Sequence, residues 1–262
     1  MQLNAKSYGD ISKPPLVILH GLFGSLNNWA GQSSVLAEHY QVWALDLRNH
    51  GRSDWDDESS YSAMSDDLLR FIDQQGFEQI RLLGHSMGGK VAMQFALNHP
   101  DRLSRLIVVD IAPVIYPPNH DDVFAGLNSV DLPNIGSRGD ADKQLQALIP
   151  DASVRQFLLT NLYRDGQQFN WRMNLHALQR QYDQIAAAPA IEASSTNNTS
   201  CFNGPTLFIK GERSDYIQPA HRQAIETLFP NAQARIMAGV GHWPHAEKPK
   251  AFNALVSRFL AG

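Results

Sequence analysis

Gln79-Ile-Arg-Leu-Leu-Gly-His-Ser-Met-Gly-Gly-Lys-Val-Ala-Met-Gln-Phe-Ala-Leu-Asn98 is the stretch that decides the fold. It opens as a short apolar run of strand length and closes, from Met87, as a helix. Between them, Gly84-His85-Ser86-Met87-Gly88 fits the pattern G-x-S-x-G. A serine on a tight strand-to-helix turn projects its hydroxyl above a sheet, and the flanking glycines let neighbouring backbone pass close. The helix N-terminus beneath offers unpaired N–H groups and a positive dipole end to a developing oxyanion. Ser86 is therefore the candidate nucleophile; a serine that merely caps a helix is the plainer alternative.

Outward from this unit the same alternation repeats. Residues 16–19, 41–46, 103–110 and 206–209 read as short buried strands, and 233–237 is a last strand-like segment. Residues 28–38, 61–75, 219–228 and 249–260 read as helices between and after them. In the second of these, Met64, Leu68, Phe71 and Ile72 keep a period near 3.6, and Gly76 supplies a C-cap. Short apolar strands alternating with helices imply an α/β protein whose parallel sheet is covered on both faces. Sites in such sheets form beyond the carboxyl ends of the strands. After Asp110 the alternation breaks. Residues 113–191 contain mainly helix-like pieces (143–149, 154–162, 171–185) whose apolar faces need a partner, and the strand-end face is the natural one. The expected organisation is a core of residues 1–112 and 192–262 with a helical insertion at 113–191. The polar stretch 192–204 reads as a linker. Asn197-Asn198-Thr199 within it matches a glycosylation pattern by chance in a polar loop.

Composition narrows the function. The 262 residues include 22 Lys+Arg against 26 Asp+Glu, a formal charge of −4, and 43% are hydrophobic. Mild acidity without a basic run argues against nucleic acid or an anionic membrane as main partner. The single cysteine, Cys201, excludes an internal disulfide framework and a cysteine metal cluster. No apolar run approaches the roughly 18 residues of a spanning helix, and residues 1–10 lack a signal-peptide core. A soluble, cytoplasmic protein is expected.

A hydroxyl needs a base to become nucleophilic. Ten histidines compete. His39, His99, His120, His176 and His221 fall in helices or polar loops, His20 and His50 precede glycines in turns, and His85 points to one side of the serine. His242 lies in the glycine-rich Ala238-Gly-Val-Gly-His-Trp243, after the last strand and before the final helix. That loop can bring an imidazole above Ser86, so His242 is the candidate base and His245 its rival. His242-x-x-His245 has no third ligand at metal spacing, and no metal is expected. His20-Gly-Leu-Phe-Gly24, at the end of the first core strand, can aim a backbone N–H at the point faced by the N–H of Met87. Leu22 and Met87 are thus the candidate oxyanion-hole donors. Asp46, Arg48 and Arg52 read as a structural turn, since no phosphate-loop pattern accompanies them. The third triad member stays open at this level. Both Asp110 and Asp215 satisfy the order Ser…Asp…His.

Taken in order, HGLFGS, DLRNHGRSD, GHSMGGKVAMQFA, VVDIAP and GHWPHAEKP resemble the α/β-hydrolase superfamily, most closely its bacterial YbfF-type carboxylesterases. The resemblance runs from residue 16 to about 260 and is weakest in the insertion. It implies an eight-stranded, mostly parallel sheet with a helical cap inserted after the sixth strand. It also implies hydrolysis of small acyl esters, or acyl-CoA thioesters, by a Ser-His-Asp triad without a cofactor. Within that group the acid resembles Asp110. In most of the superfamily it stands at the position here held by Ser214, one residue before Asp215. Carbon–carbon bond hydrolysis, perhydrolysis and biosynthetic demethylation use the same framework, and a slow-turnover ligand receptor is the alternative of another class. Serine at the elbow excludes the aspartate-nucleophile chemistries.

Overall fold

The central apolar runs pair into strands because they are buried on both faces and bounded by turns, whereas the last, 233–237, is largely exposed at the sheet edge. A computed structural model describes residues 1–189 and 201–262. The Asn197-Asn198-Thr199 triplet, the 191/192 boundary and most of the 192–204 linker lie outside the described residues. In chain order the strands are β1 (Ala5–Tyr8), β2 (Pro15–Leu19), β3 (Gln41–Leu45), β4 (Ile80–His85), β5 (Leu103–Val109), β6 (Leu162–Asp165), β7 (Gln168–Trp171), β8 (Thr206–Gly211) and β9 (Ala232–Met237). Seven of them form one sheet in the order β1-β3-β2-β4-β5-β8-β9, parallel throughout except for β1. The sheet described thus has seven strands where eight were expected, and the insertion follows the fifth strand rather than the sixth. The chain enters the sheet through one antiparallel edge strand. That strand's central residues, Lys6 and Ser7, are exposed, so it carries no apolar run to read.

Helices cover both faces. On one, α1 (Ala30–Leu36) and the last helix pack over Leu16, Ile18, Leu83 and Ile107. On the other, α2 (Tyr61–Gln74) and α3 (Met87–Asn98) cover Val17, Leu19, Leu82 and Val108. The α2 helix starts where the Ser60 hydroxyl accepts the Ala63 N–H at 3.2 Å, a cap that satisfies one orphan donor. Every residue of α3 is buried, so the serine at its head stands on a rigid support.

Between β5 and β8 come α4 (Asp121–Ser129), α5 (Arg138–Leu145), α6 (Ala152–Leu159), the β6–β7 hairpin, α7 (Leu175–Arg180) and α8 (Tyr182–Ala186). The hairpin departs from the all-helical expectation and takes Leu162 and Trp171 out of the helices read for them. Its signal was Asp165-Gly166, with Gly166 at φ +60° in a two-residue turn. Such a turn matches the twist of paired strands. The insertion sits on the strand-end face and is tied to it by the amide of Asn161 donating to the Phe23 carbonyl (2.6 Å) and Asn174 N–H donating to that of Asn49 (2.9 Å). After β8 follow α9 (Arg222–Leu228), α10 (Pro244–Glu247) and α11 (Pro249–Ala261).

Candidate active site

Ser86 follows β4 directly and heads α3 with φ +53° and ψ −119°, a conformation that L side chains rarely adopt. Such a backbone costs on the order of 1–3 kcal/mol and survives only where its surroundings enforce it. Here the Ser86 N–H donates to the Val109 carbonyl at 3.0 Å. A Cβ on Gly84 would lie 2.1 Å from the Gly88 carbonyl oxygen, and one on Gly88 would lie 2.4 Å from that of His20. Only glycine at both positions lets the strand, the elbow and the first turn of α3 pack this closely. Two further non-glycine residues at positive φ, Phe23 (+59°) and Asp110 (+53°), border the same site.

Asp110 follows β5 and is fully buried. Its N–H donates to the Ile209 carbonyl at 2.8 Å, as Ser86 is pinned to β5 one strand earlier. Three donors converge on its carboxylate. Gly211 N–H reaches Oδ1 at 2.9 Å, and the Ser214 hydroxyl and His242 Nδ1 (2.8 Å) both reach Oδ2. The carboxylate only accepts, so His242 holds its proton on Nδ1 and leaves Nε2 free. Asp215 is exposed and accepts from the Gln218 amide at 2.9 Å, away from His242. The residue in the superfamily's usual acid register, Ser214, therefore serves Asp110 as a hydrogen-bond donor.

The His242 loop is held from several sides. Its ring stacks on Tyr216 at 4.1 Å between centroids. The His242 carbonyl accepts from His85 Nε2 at 2.8 Å, and both carboxylate oxygens of Glu247 accept the Gly241 N–H. Burial, then the neighbouring imidazoles, hold His85 well below the usual histidine value, so it serves as a neutral donor. His245, the rival candidate, stacks on Trp29 at 4.2 Å, and burial pulls its pKa to about 3. The positioning role of His85 escaped the sequence reading, although its place between strand and serine was a signal.

The segment that carries Leu22 is gripped by two more buried histidines. His50 Nδ1 donates to the Arg48 carbonyl (2.9 Å) and Nε2 accepts the Phe23 N–H (3.2 Å). His20 Nδ1 donates to the Gly21 carbonyl (2.8 Å) and Nε2 accepts the Leu47 N–H (3.0 Å). Burial is the largest influence holding both below the ordinary value, His50 at about 3. The adjoining turn is knitted together by hydrogen bonds. Asp46 accepts from Leu26 N–H, the Asn4 amide and Arg52 N–H, while Arg48 pairs with Asp67 at 2.6 Å.

Ser86, His242, Leu22 and Met87 all line one cavity of about 330 Å³, mostly apolar, at the lower end of the range for small-molecule clefts. The insertion supplies much of its wall, including Val123, Val154, Phe157, Leu158, Tyr182 and Ile185. Among the aromatic residues of the insertion, Tyr116, Phe157 and Tyr182 line it. Phe124, Tyr163 and Trp171 do not: Phe124 packs behind Phe23, and the Trp171 indole donates to the Leu127 carbonyl inside the insertion. Lys90, one turn beyond Ser86, also lines the cavity and is buried. Its ammonium donates to the carbonyls of Ala186 (3.0 Å) and Ala187 at the end of α8 and lies 4.7 Å from the Tyr116 ring centre. Burial lowers its pKa to about 7.

A strained serine elbow at the carboxyl edge of a parallel sheet, faced by a histidine on a later loop, defines a class, and the chain belongs to it. A family model described as alpha/beta hydrolase fold matches residues 14–249. Among its relatives is the sn-1-specific diacylglycerol lipase ABHD11 of Mus musculus, 42% identical over 261 residues that cover 97% of this chain and 83% of the relative. Esterase YbfF of Escherichia coli K12 is 37% identical over 247 residues, covering 94% and 92%. A solved structure of a marine microorganism esterase superposes with a TM-score of 0.92 at 37% identity, covering 98% of this chain and 99% of that one. An E-2-(acetamidomethylene)succinate hydrolase, at 18% identity and a TM-score of 0.81, shares the fold. No helix among the described residues is long and apolar enough to cross a membrane.

Proposed function

We propose that the protein is a serine carboxylesterase that cleaves small acyl esters, and thioesters of similar shape, through an acyl-enzyme. Ser86 Oγ attacks the ester carbonyl carbon while His242 Nε2 takes its proton. The carbonyl π electrons move onto oxygen, and the N–H groups of Leu22 and Met87 receive that oxyanion. Its collapse breaks the bond to the alcohol or thiol, which leaves with the proton from His242. Water repeats the sequence on the acyl-enzyme and releases the acid. Asp110 keeps the imidazole in the required tautomer and stabilises the imidazolium. Residues 113–191 act as a cap whose inner face receives the acyl chain.

The observation that supports this assignment is the His242–Asp110 hydrogen bond, 2.8 Å long, at the wall of the cavity that Ser86 also lines. The known esterase and lipase relatives support the same chemistry. The test is Ser86→Ala with an aryl butyrate and, separately, a small phosphonate label. Turnover falls by about six orders of magnitude, as loss of a triad serine can produce, and labelling disappears while the fold is kept. Activity within tenfold of the parent would remove Ser86 from the role.

A further inference from the structure

Behind the wall of the catalytic cavity lies a second cleft of about 480 Å³, lined chiefly by polar groups. Four cations converge on it from three parts of the chain. Lys6 comes from β1, Arg52 from the Asp46 turn, and Arg138 and Arg172 from the insertion. None of the four takes part in an ion pair among the described residues, in a chain with more acidic than basic residues. Among the described residues Asp46 is the one carboxylate lining the cleft, and its oxygens accept from the Leu26 N–H, the Asn4 amide and the Arg52 N–H.

Four positive charges set against the single carboxylate of Asp46 leave a net repulsion, and that cost is relieved when an anion enters. Two of the four are already held in place. Arg138 donates to the Leu162 carbonyl at 2.8 Å, and the Arg172 guanidinium lies 4.1 Å from the Tyr163 ring centre. Holding a guanidinium fork before the ligand arrives lowers the entropic cost of binding, and the fork matches the geometry of phosphate oxygens. Several convergent cations in an open cleft suit one compact ligand with several negative charges. We propose that this cleft is a binding site for a ligand carrying two or more phosphate charges. Lys6, over the Tyr8 ring at 5.0 Å, and Arg52 supply exposed cations, and Arg138 and Arg172 supply the two held by the Leu162 carbonyl and the Tyr163 ring.

The site is distinct from the Ser86 cavity but shares a wall with it. Phe157 and Leu158 of α6 face the cavity, and Thr160, just beyond the helix, faces the cleft. Asn161, next in sequence, holds the Phe23 carbonyl.

Calorimetric titration of the intact protein with inorganic pyrophosphate at low salt tests the proposal without reference to hydrolysis. Saturable binding is expected, weakened at least tenfold in Lys6→Ala/Arg52→Ala, whose side chains hold no other element in place. The control Arg105→Ala/Arg258→Ala, in a separate groove, keeps the parent affinity. Failure of the parent protein to bind at millimolar pyrophosphate, or equal binding by the Lys6/Arg52 variant, overturns the site. A second arm uses phosphatidylglycerol vesicles. Vesicle binding that pyrophosphate does not displace would make the patch a membrane contact and overturn the discrete-ligand assignment.

Discussion

Replacing Asp110 with asparagine changes one atom's chemistry at the most constrained point of the site. The carboxylate accepts from Gly211 N–H on one oxygen and from Ser214 and His242 on the other. Asparagine has a single acceptor oxygen. With that oxygen kept on Gly211, the new NH2 group faces both the Ser214 hydroxyl and His242 Nδ1. Donor then meets donor, and the contact is recovered only when His242 moves its proton to Nε2. That nitrogen is the one needed to accept the Ser86 proton. The equivalent substitution in a serine protease costs about 10⁴ in kcat, which at about 1.36 kcal/mol per tenfold is about 5.4 kcal/mol of barrier. A similar loss is expected here. Asp215, exposed and bonded to Gln218, meets no imidazole, so Asp215→Asn loses less than tenfold. Initial rates on an aryl butyrate, with circular dichroism to show that both variants fold, provide the assay. Near-parent activity in Asp110→Asn, or a larger loss in Asp215→Asn, would refute the tautomer argument.

Three further outcomes follow from the insertion and from a buried histidine. Phe157→Ala removes a ring that lines the cavity and pairs with Trp243 at 5.6 Å. It should shift the preferred acyl chain length while leaving phosphonate labelling of Ser86 intact; an unchanged chain-length profile would deny the cap a part in specificity. Trp171→Ala, away from the cavity, should lower stability without that shift. Burial holds His50 at about 3, below its unfolded value. As pH falls below about 6.5, the unfolded chain takes up a proton that the folded chain refuses, so stability declines toward pH 3. One such group contributes about 1.4 kcal/mol per pH unit. His50→Gln, whose amide oxygen can still accept the Phe23 N–H, should flatten the acid side of the stability profile by about one proton's worth in urea titrations between pH 6 and 4. An unaltered slope would place the proton uptake elsewhere.

The serine elbow, the parallel core and the candidacy of His242 were legible in the sequence because each rests on local physics. Apolar runs of strand length report burial, and two glycines around Ser86 report backbone crowding that any structure containing the turn must meet. The insertion was legible as a break in the alternation, and its hairpin was missed because a short pair of half-polar strands reads as helix once Asp165-Gly166 is overlooked. Strand β1 escaped for a similar reason, being exposed at its centre. Chain order left both Asp110 and Asp215 open, and only the tertiary structure shows which of them His242 bonds. Both stand in the right order along the chain, and only the adjacency of β5 and β8 brings Gly211 and Ser214 onto the Asp110 carboxylate while the His242 loop closes from the far side. The tertiary structure alone also showed His20, His50 and His85 as buried, hydrogen-bonded props and gathered Lys6, Arg52, Arg138 and Arg172 into one cleft. Sequence periodicity records which side chains leave water. It does not record which residues, distant along the chain, then meet.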